Sequence, residues 1–153
     1  MKVDRVIFVD KKGNTRSAMA WALFRRMFPD SGIEPLARGL VVSFDEPLNQ
    51  KTEAVMAGNG LETEGFRSVE LSDQDITDNT LIFTMNARQR QDVISGSERA
   101  DENNTFVLSE FAGEELEIMD PYGGNLQVYG ICLEALARTI EKLPDKIKEC
   151  LNE

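Results

Sequence analysis

The chain contains no histidine. That excludes Ser-His-Asp and Cys-His catalysis and removes the commonest zinc ligand, so few enzyme classes survive. Cysteine is scarce: Cys132 and Cys150 are the only two. Both fall in a C-terminal helical segment about five turns apart, too far for pairing within one continuous helix, and are read as free thiols. No apolar run approaches the ~18 residues of a membrane helix, and the N-terminus lacks the basic, apolar and small-residue order of a signal peptide. A cytoplasmic protein without membrane contact is expected. Positive charge is also short, with 17 Lys and Arg against 27 Asp and Glu and a formal net charge of -10. A grip on a nucleic-acid backbone is not expected, since that needs basic residues concentrated on one face.

What is present is ordinary in bulk and specific in one place. The length of 153 residues suits one domain, 1–153, and 41% hydrophobic with 29% charged residues is a globular composition. The specific place is Val6-Ile7-Phe8-Val9-Asp10-Lys11-Lys12-Gly13-Asn14-Thr15-Arg16-Ser17-Ala18-Met19-Ala20. An apolar run ending in an acid reads as a buried parallel strand, and helical periodicity begins at Arg16. The loop between them lies at a strand's C-terminal end and a helix N-terminus, where unpaired N–H groups and the helix dipole favour an anion such as phosphate. Arg16 is placed to add a bidentate clamp.

Along the chain, strands are predicted over Lys2 to Val9, Ile33 to Leu40, Leu81 to Met85 and Phe106 to Leu108. Gly39 is expected to turn the chain after the second. Helices are predicted over Arg16 to Phe28, Leu48 to Ala57 with Pro47 in the first turn, and Ala87 to Ile94 with Asn86 as cap. Ser72 caps a short helix, Gly96 to Asn104 is a polar loop, and Leu126 to Glu149 is one long helix interrupted by Pro144. The stripe Met19, Ala20, Leu23, Phe24 and Met27, with Trp21 beside it, reads as core. Alternation of strands and helices implies a four-stranded parallel sheet covered on both faces.

Two carboxylates stand out, Asp10 and Asp120, the latter in Met119-Asp120-Pro121-Tyr122-Gly123-Gly124. Alone, Asp-Pro is a turn signal. Taken with Asp10-x5-Arg16-Ser17, Met19-Ala20, Glu46-Pro47, Gly65-Phe66-Arg67-Ser68 and Ser109-Glu110-Phe111-Ala112-Gly113, the whole chain resembles the low-molecular-weight protein tyrosine phosphatases. The resemblance implies a three-layer α/β sandwich and a phosphate loop built from Lys11, Lys12, Gly13, Asn14, Thr15, Arg16 and Ser17. In it, Arg16 matches the residue that binds phosphoryl oxygens, Asp120 the general acid, Tyr122 an aromatic wall, and Ser17 the hydroxyl that bonds the nucleophile. Neither a metal nor a cofactor is implied.

Three departures accompany the match. Asp10 stands where that family has its nucleophilic Cys, Thr15 where a second Cys is usual, and Phe66 where a His braces the loop asparagine. Gly13-Asn14 also sits one position late. A carboxylate can accept a phosphoryl group, but Arg16, the loop N–H groups and the helix dipole would hold Asp10 as a weakly nucleophilic anion that repels phosphate. Weak phosphate binding is the direct expectation; the alternative is that the Asp10 side chain fills the anion site itself, with Lys11 and Lys12 at the rim. Asp10-Lys11-Lys12-Gly13-Asn14-Thr15 is also similar to the Asp-Lys-x-Gly-x-Thr loop of ion-pumping ATPases and haloacid dehalogenase-like phosphatases, which need Mg²⁺ held by further acids. The expected function is a phosphatase-fold protein impaired in Cys-type activity, acting as a binding or regulatory module for phosphate, a phosphorylated small molecule or a protein partner. The alternative is a phosphomonoesterase using Asp10 or water as nucleophile and Asp120 as acid.

Overall fold

The computed structural model describes residues 2–151. Its strands are β1 Arg5–Asp10, β2 Glu34–Gly39, β3 Thr80–Thr84 and β4 Thr105–Val107. Its helices are α1 Arg16–Met27, α2 Gln50–Gly58, α3 Ala87–Gly96, α4 Leu108–Phe111, α5 Leu126–Glu141 and α6 Leu143–Leu151, with a 3-10 turn at Asp73–Asp75. All strand pairs are parallel, in the order β2-β1-β3-β4.

β1 sits inside the sheet and is apolar from Val6 to Val9 because both of its faces are covered. Val6 and Phe8 join the cluster that includes Phe24 of α1, Phe83 of β3 and Leu136 of α5. Ile7 and Val9 point the other way, into a smaller cluster with Ile82, Val93 of α3 and Ile76. Phe8 lies 6.0 Å from Phe83 and 6.1 Å from Phe24 between ring centroids, so one aromatic ties sheet to helix. The strand order reverses direction between β1 and β3, which places the end of β1 at the crevice where open α/β sheets hold ligands. The four-stranded parallel sheet with helices around it agrees with the architecture read from the sequence.

Four boundaries differ from the sequence reading, each for a local reason. α2 starts at Gln50 because the Asn49 side chain accepts from the N–H groups of Lys51 and Thr52, leaving Pro47 outside the helix. β1 begins at Arg5 and includes Asp10. β4 ends at Val107, and Leu108 opens the short helix α4, which periodicity over so few residues does not signal. The long C-terminal helix is two: α5 ends at Glu141, and Pro144 lies in the first turn of α6, where a missing N–H is tolerated.

Candidate functional site

The loop from Asp10 to Ser17 is pressed against the end of β2. Leu40 N–H donates to the Asp10 carbonyl at 3.0 Å and Val41 N–H to the Lys11 carbonyl at 3.0 Å. Close approach is possible because glycines face each other. A Cβ on Gly13 would lie 2.7 Å from Gly39 N, and one on Gly39 would lie 2.6 Å from Lys12 C. Gly13 also has φ +73°, a left-handed conformation that penalises any side chain. Gly39, expected to turn the chain, instead supplies this contact as the last residue of β2.

Asp10 is buried at 3% exposure. Its Oδ1 accepts from Gly13 N–H at 2.5 Å and from the Ser17 hydroxyl at 2.9 Å, and its Oδ2 accepts from Ser17 N–H at 3.0 Å. Ser17 is in the first turn of α1, so the helix N-terminus gives one of its free N–H groups to this carboxylate. The backbone N–H groups of Lys11, Lys12, Asn14, Thr15 and Arg16 have no protein acceptor among the described residues.

Arg16 does not pair with Asp10. Its guanidinium is buried and donates through Nη1 to the Ile118 carbonyl at 2.8 Å, while Nη2 stands 3.8 Å from Asp120 Oδ2. Asp120 is exposed and its other oxygen accepts from Tyr122 N–H at 3.0 Å, the turn role that an Asp-Pro pair favours. Asp10, Lys11, Lys12, Asn14, Thr15 and Arg16 line one cleft of about 250 Å³ together with Asp120 and Tyr122. Gly13 and Ser17 sit behind it, reaching it only through Asp10. Lys11 and Lys12 are exposed at its edge.

Five partners of the site were not evident from sequence. Asn49 also lines the cleft, and its N–H donates to the Asn14 carbonyl at 3.2 Å. The Asn14 amide is held by Glu46 Oε2 at 3.3 Å and the Pro47 carbonyl at 3.4 Å. Glu46 is fixed in turn by two backbone-linked bonds with Ser68, a residue of zero exposure. Phe66 instead packs on Trp21, 5.6 Å between centroids. The Glu46-Pro47 dipeptide was visible as a motif, but its contact across 32 residues was not.

The fifth partner is Cys132. Its thiol donates to the Met119 carbonyl at 3.6 Å and is 2% exposed. Burial pushes the thiol up to about 11; Arg16 opposes this, and the charges of Asp120 and Asp10 add to it. Cys132 is therefore a neutral thiol beneath the cleft, unsuited to nucleophilic attack. Burial, reinforced by Asp120, also raises the Tyr129 phenol above its ordinary value. Among the described residues, no three His, Cys, Asp or Glu side chains form a metal-binding group, and no helix is long and apolar enough to cross a membrane.

A family model for low molecular weight phosphotyrosine protein phosphatases matches residues 5–152. The low molecular weight protein-tyrosine-phosphatase PtpB of Staphylococcus haemolyticus is 29% identical over 139 residues, covering 91% of this chain and 96% of its own. A protein-arginine-phosphatase of Geobacillus stearothermophilus is 27% identical over 146 residues, covering 94% and 96%. Among solved structures, the low molecular weight protein tyrosine phosphatase from T. tengcongensis superposes with a TM-score of 0.85 at 27% identity, covering 93% of this chain and 98% of that one.

Proposed function

The chain belongs to the low molecular weight phosphotyrosine protein phosphatase family, and from that membership we propose that it is a single-domain cytoplasmic member whose Asp10 replaces the nucleophilic Cys and whose cleft binds rather than hydrolyses. The observation that carries this reading is the satisfied state of Asp10. Its carboxylate accepts from the Ser17 hydroxyl and from the Gly13 and Ser17 N–H groups behind the cleft, so it stands as a fixed anion at the base of the loop.

The chemistry follows from charge. Attack on phosphorus requires a free lone pair, and three hydrogen bonds lower the nucleophilicity of a carboxylate. A phosphoryl group in the same loop would bring each of its negative charges near that of Asp10, at a cost of roughly 4 kcal/mol per pair at about 4 Å with near-surface screening. Arg16, Lys11 and Lys12 offset part of this cost, so weak binding of phosphate or of a phosphorylated protein or small molecule at the cleft edge is the inferred residual property. The named relatives act on phosphotyrosine or phosphoarginine proteins, and a phosphorylated protein partner is the ligand class we infer for this one.

The second reading keeps the enzyme: Asp10 or water attacks, and Asp120 protonates the leaving oxygen. Its support is the position of Asp120 on the same cleft as Asp10, 3.8 Å from the Arg16 guanidinium. Aryl phosphate hydrolysis, measured with and without Mg²⁺, separates the two. We expect no turnover above background by the wild type and measurable turnover by Asp10→Cys, because Arg16, Ser17 and Asp120 are in place. Wild-type turnover that disappears in both Asp10→Ala and Asp120→Asn would overturn the binding reading in favour of the enzyme.

A further inference from the structure

Two hollows of the molecule lie away from the phosphate loop. Between the outer face of α1, the free edge of β2 and the turn at residues 60–67 run two adjoining hollows of about 520 and 360 Å³, which share Arg25 and Glu62. Both exceed the 250 Å³ of the cleft. Their apolar surface includes Phe28 and Leu61 in one and Trp21 packed on Phe66 in the other.

In a chain of net charge -10, this groove gathers Arg25, Arg26, Arg38 and Arg67. Two of them are already engaged: Arg38 pairs with Asp75 at 2.9 Å, and Arg26 donates to the Asn59 carbonyl. Arg25 and Arg67 have no carboxylate within ion-pairing distance among the described residues. Arg25 lies with its guanidinium carbon 4.5 Å from the centre of the Trp21 ring. An arginine held flat on an aromatic face is pre-ordered, and its N–H edge remains open for a carboxylate.

The groove excludes two other modes of binding. Strand addition to β2 is blocked because Pro35 offers no N–H, the Arg38 side chain covers the Ala37 carbonyl at 2.9 Å, and Gly39 already bonds Val69 and Leu71. A polyphosphate carries charge along its whole length, where Glu62 and Glu64 also line the hollows, and offers no apolar group to the floor of Trp21 and Phe66. A ligand with separated carboxylates and an apolar side chain between them fits both the charges and the floor.

We propose that this groove is a docking site for a short acidic peptide segment of a partner protein, with a carboxylate on Arg25 and Arg67 and an apolar side chain against Trp21 and Phe66. It is independent of the phosphate loop. Trp21 is the only tryptophan of the chain, so fluorescence excited selectively at tryptophan rather than at Tyr122 and Tyr129 reports on this groove.

The probe is the peptide acetyl-Glu-Leu-Glu-Leu-Glu-amide, with a second in which every Glu is Gln. The acidic peptide should change Trp21 fluorescence saturably and the neutral one should not. In calorimetry, the double variant Arg25→Gln with Arg67→Gln should bind it about tenfold or more weakly, as expected for lost charge-assisted hydrogen bonds. Lys148→Gln, which removes an exposed charge on α6, should leave binding unchanged. Equal response to the neutral peptide, equal weakening by Lys148→Gln, or tighter binding of ATP than of the peptide would overturn the proposal. So would the absence of any response to the acidic peptide by either measurement.

Discussion

Asp10 is a hydrogen-bonded carboxylate at the base of the loop. Gly13 and Ser17 supply its donors, and both residues were legible in the sequence as loop components. What was not legible is the behaviour of Arg16. The sequence places it beside Asp10 as an opposite charge, yet its buried guanidinium turns to a backbone carbonyl 102 residues away, at Ile118. A main-chain acceptor at that separation leaves no mark in residue types. Cys132 is a similar case, a thiol far in sequence that folding brings under the cleft. Its chemistry gives a prediction at this scale. With the folded thiol raised to about 11 from an ordinary 9.0, the native state holds a proton that the unfolded state releases first. Stability from this group is complete below about pH 9 and is lost as pH rises through about 11. Mass-spectrometric mapping of iodoacetamide labelling under native conditions at pH 8 should therefore find exposed Cys150 modified and Cys132 protected until the protein is unfolded. Equal labelling of both would contradict the buried, neutral thiol.

The elements that carry the loop are β1, α1 and the start of α2. The first two were readable because an all-apolar strand and a helical stripe of Met19, Ala20, Leu23 and Phe24 leave distinct periods, and all four of those residues are buried. The third was misplaced by two residues. Pro47 and Asn49 are both acceptable at a helix start, and tertiary contact decides between them. The Pro47 carbonyl accepts from Asn14 and the Asn49 N–H donates to Asn14, so the turn between them belongs to the loop and the helix follows. Asn49→Ala keeps that backbone bond and removes the side-chain cap from Lys51 and Thr52. Its expected cost is about 1 kcal/mol, read from the urea unfolding midpoint. A change under a few tenths of a kcal/mol would show that the cap is not stabilising α2.

For the whole molecule, the fold is that of a phosphatase family, with four parallel strands in the order β2-β1-β3-β4. Architecture was legible from the sequence because the order of strands and helices and their periods are set locally. The effect of Asp10 on the cleft was legible only as alternatives, since its hydrogen-bond donors are set by how the loop folds. The central claim is that this carboxylate stands as a fixed negative charge at the base of the loop and opposes an anion there. It is tested most directly by the thermal unfolding midpoint of wild type and Asp10→Ala across a titration of orthovanadate. A ligand that binds only the native state raises that midpoint. Repulsion by Asp10 predicts little or no rise in the wild type at millimolar vanadate and a clear, saturable rise in Asp10→Ala. A rise in the wild type equal to or larger than that in Asp10→Ala would contradict it.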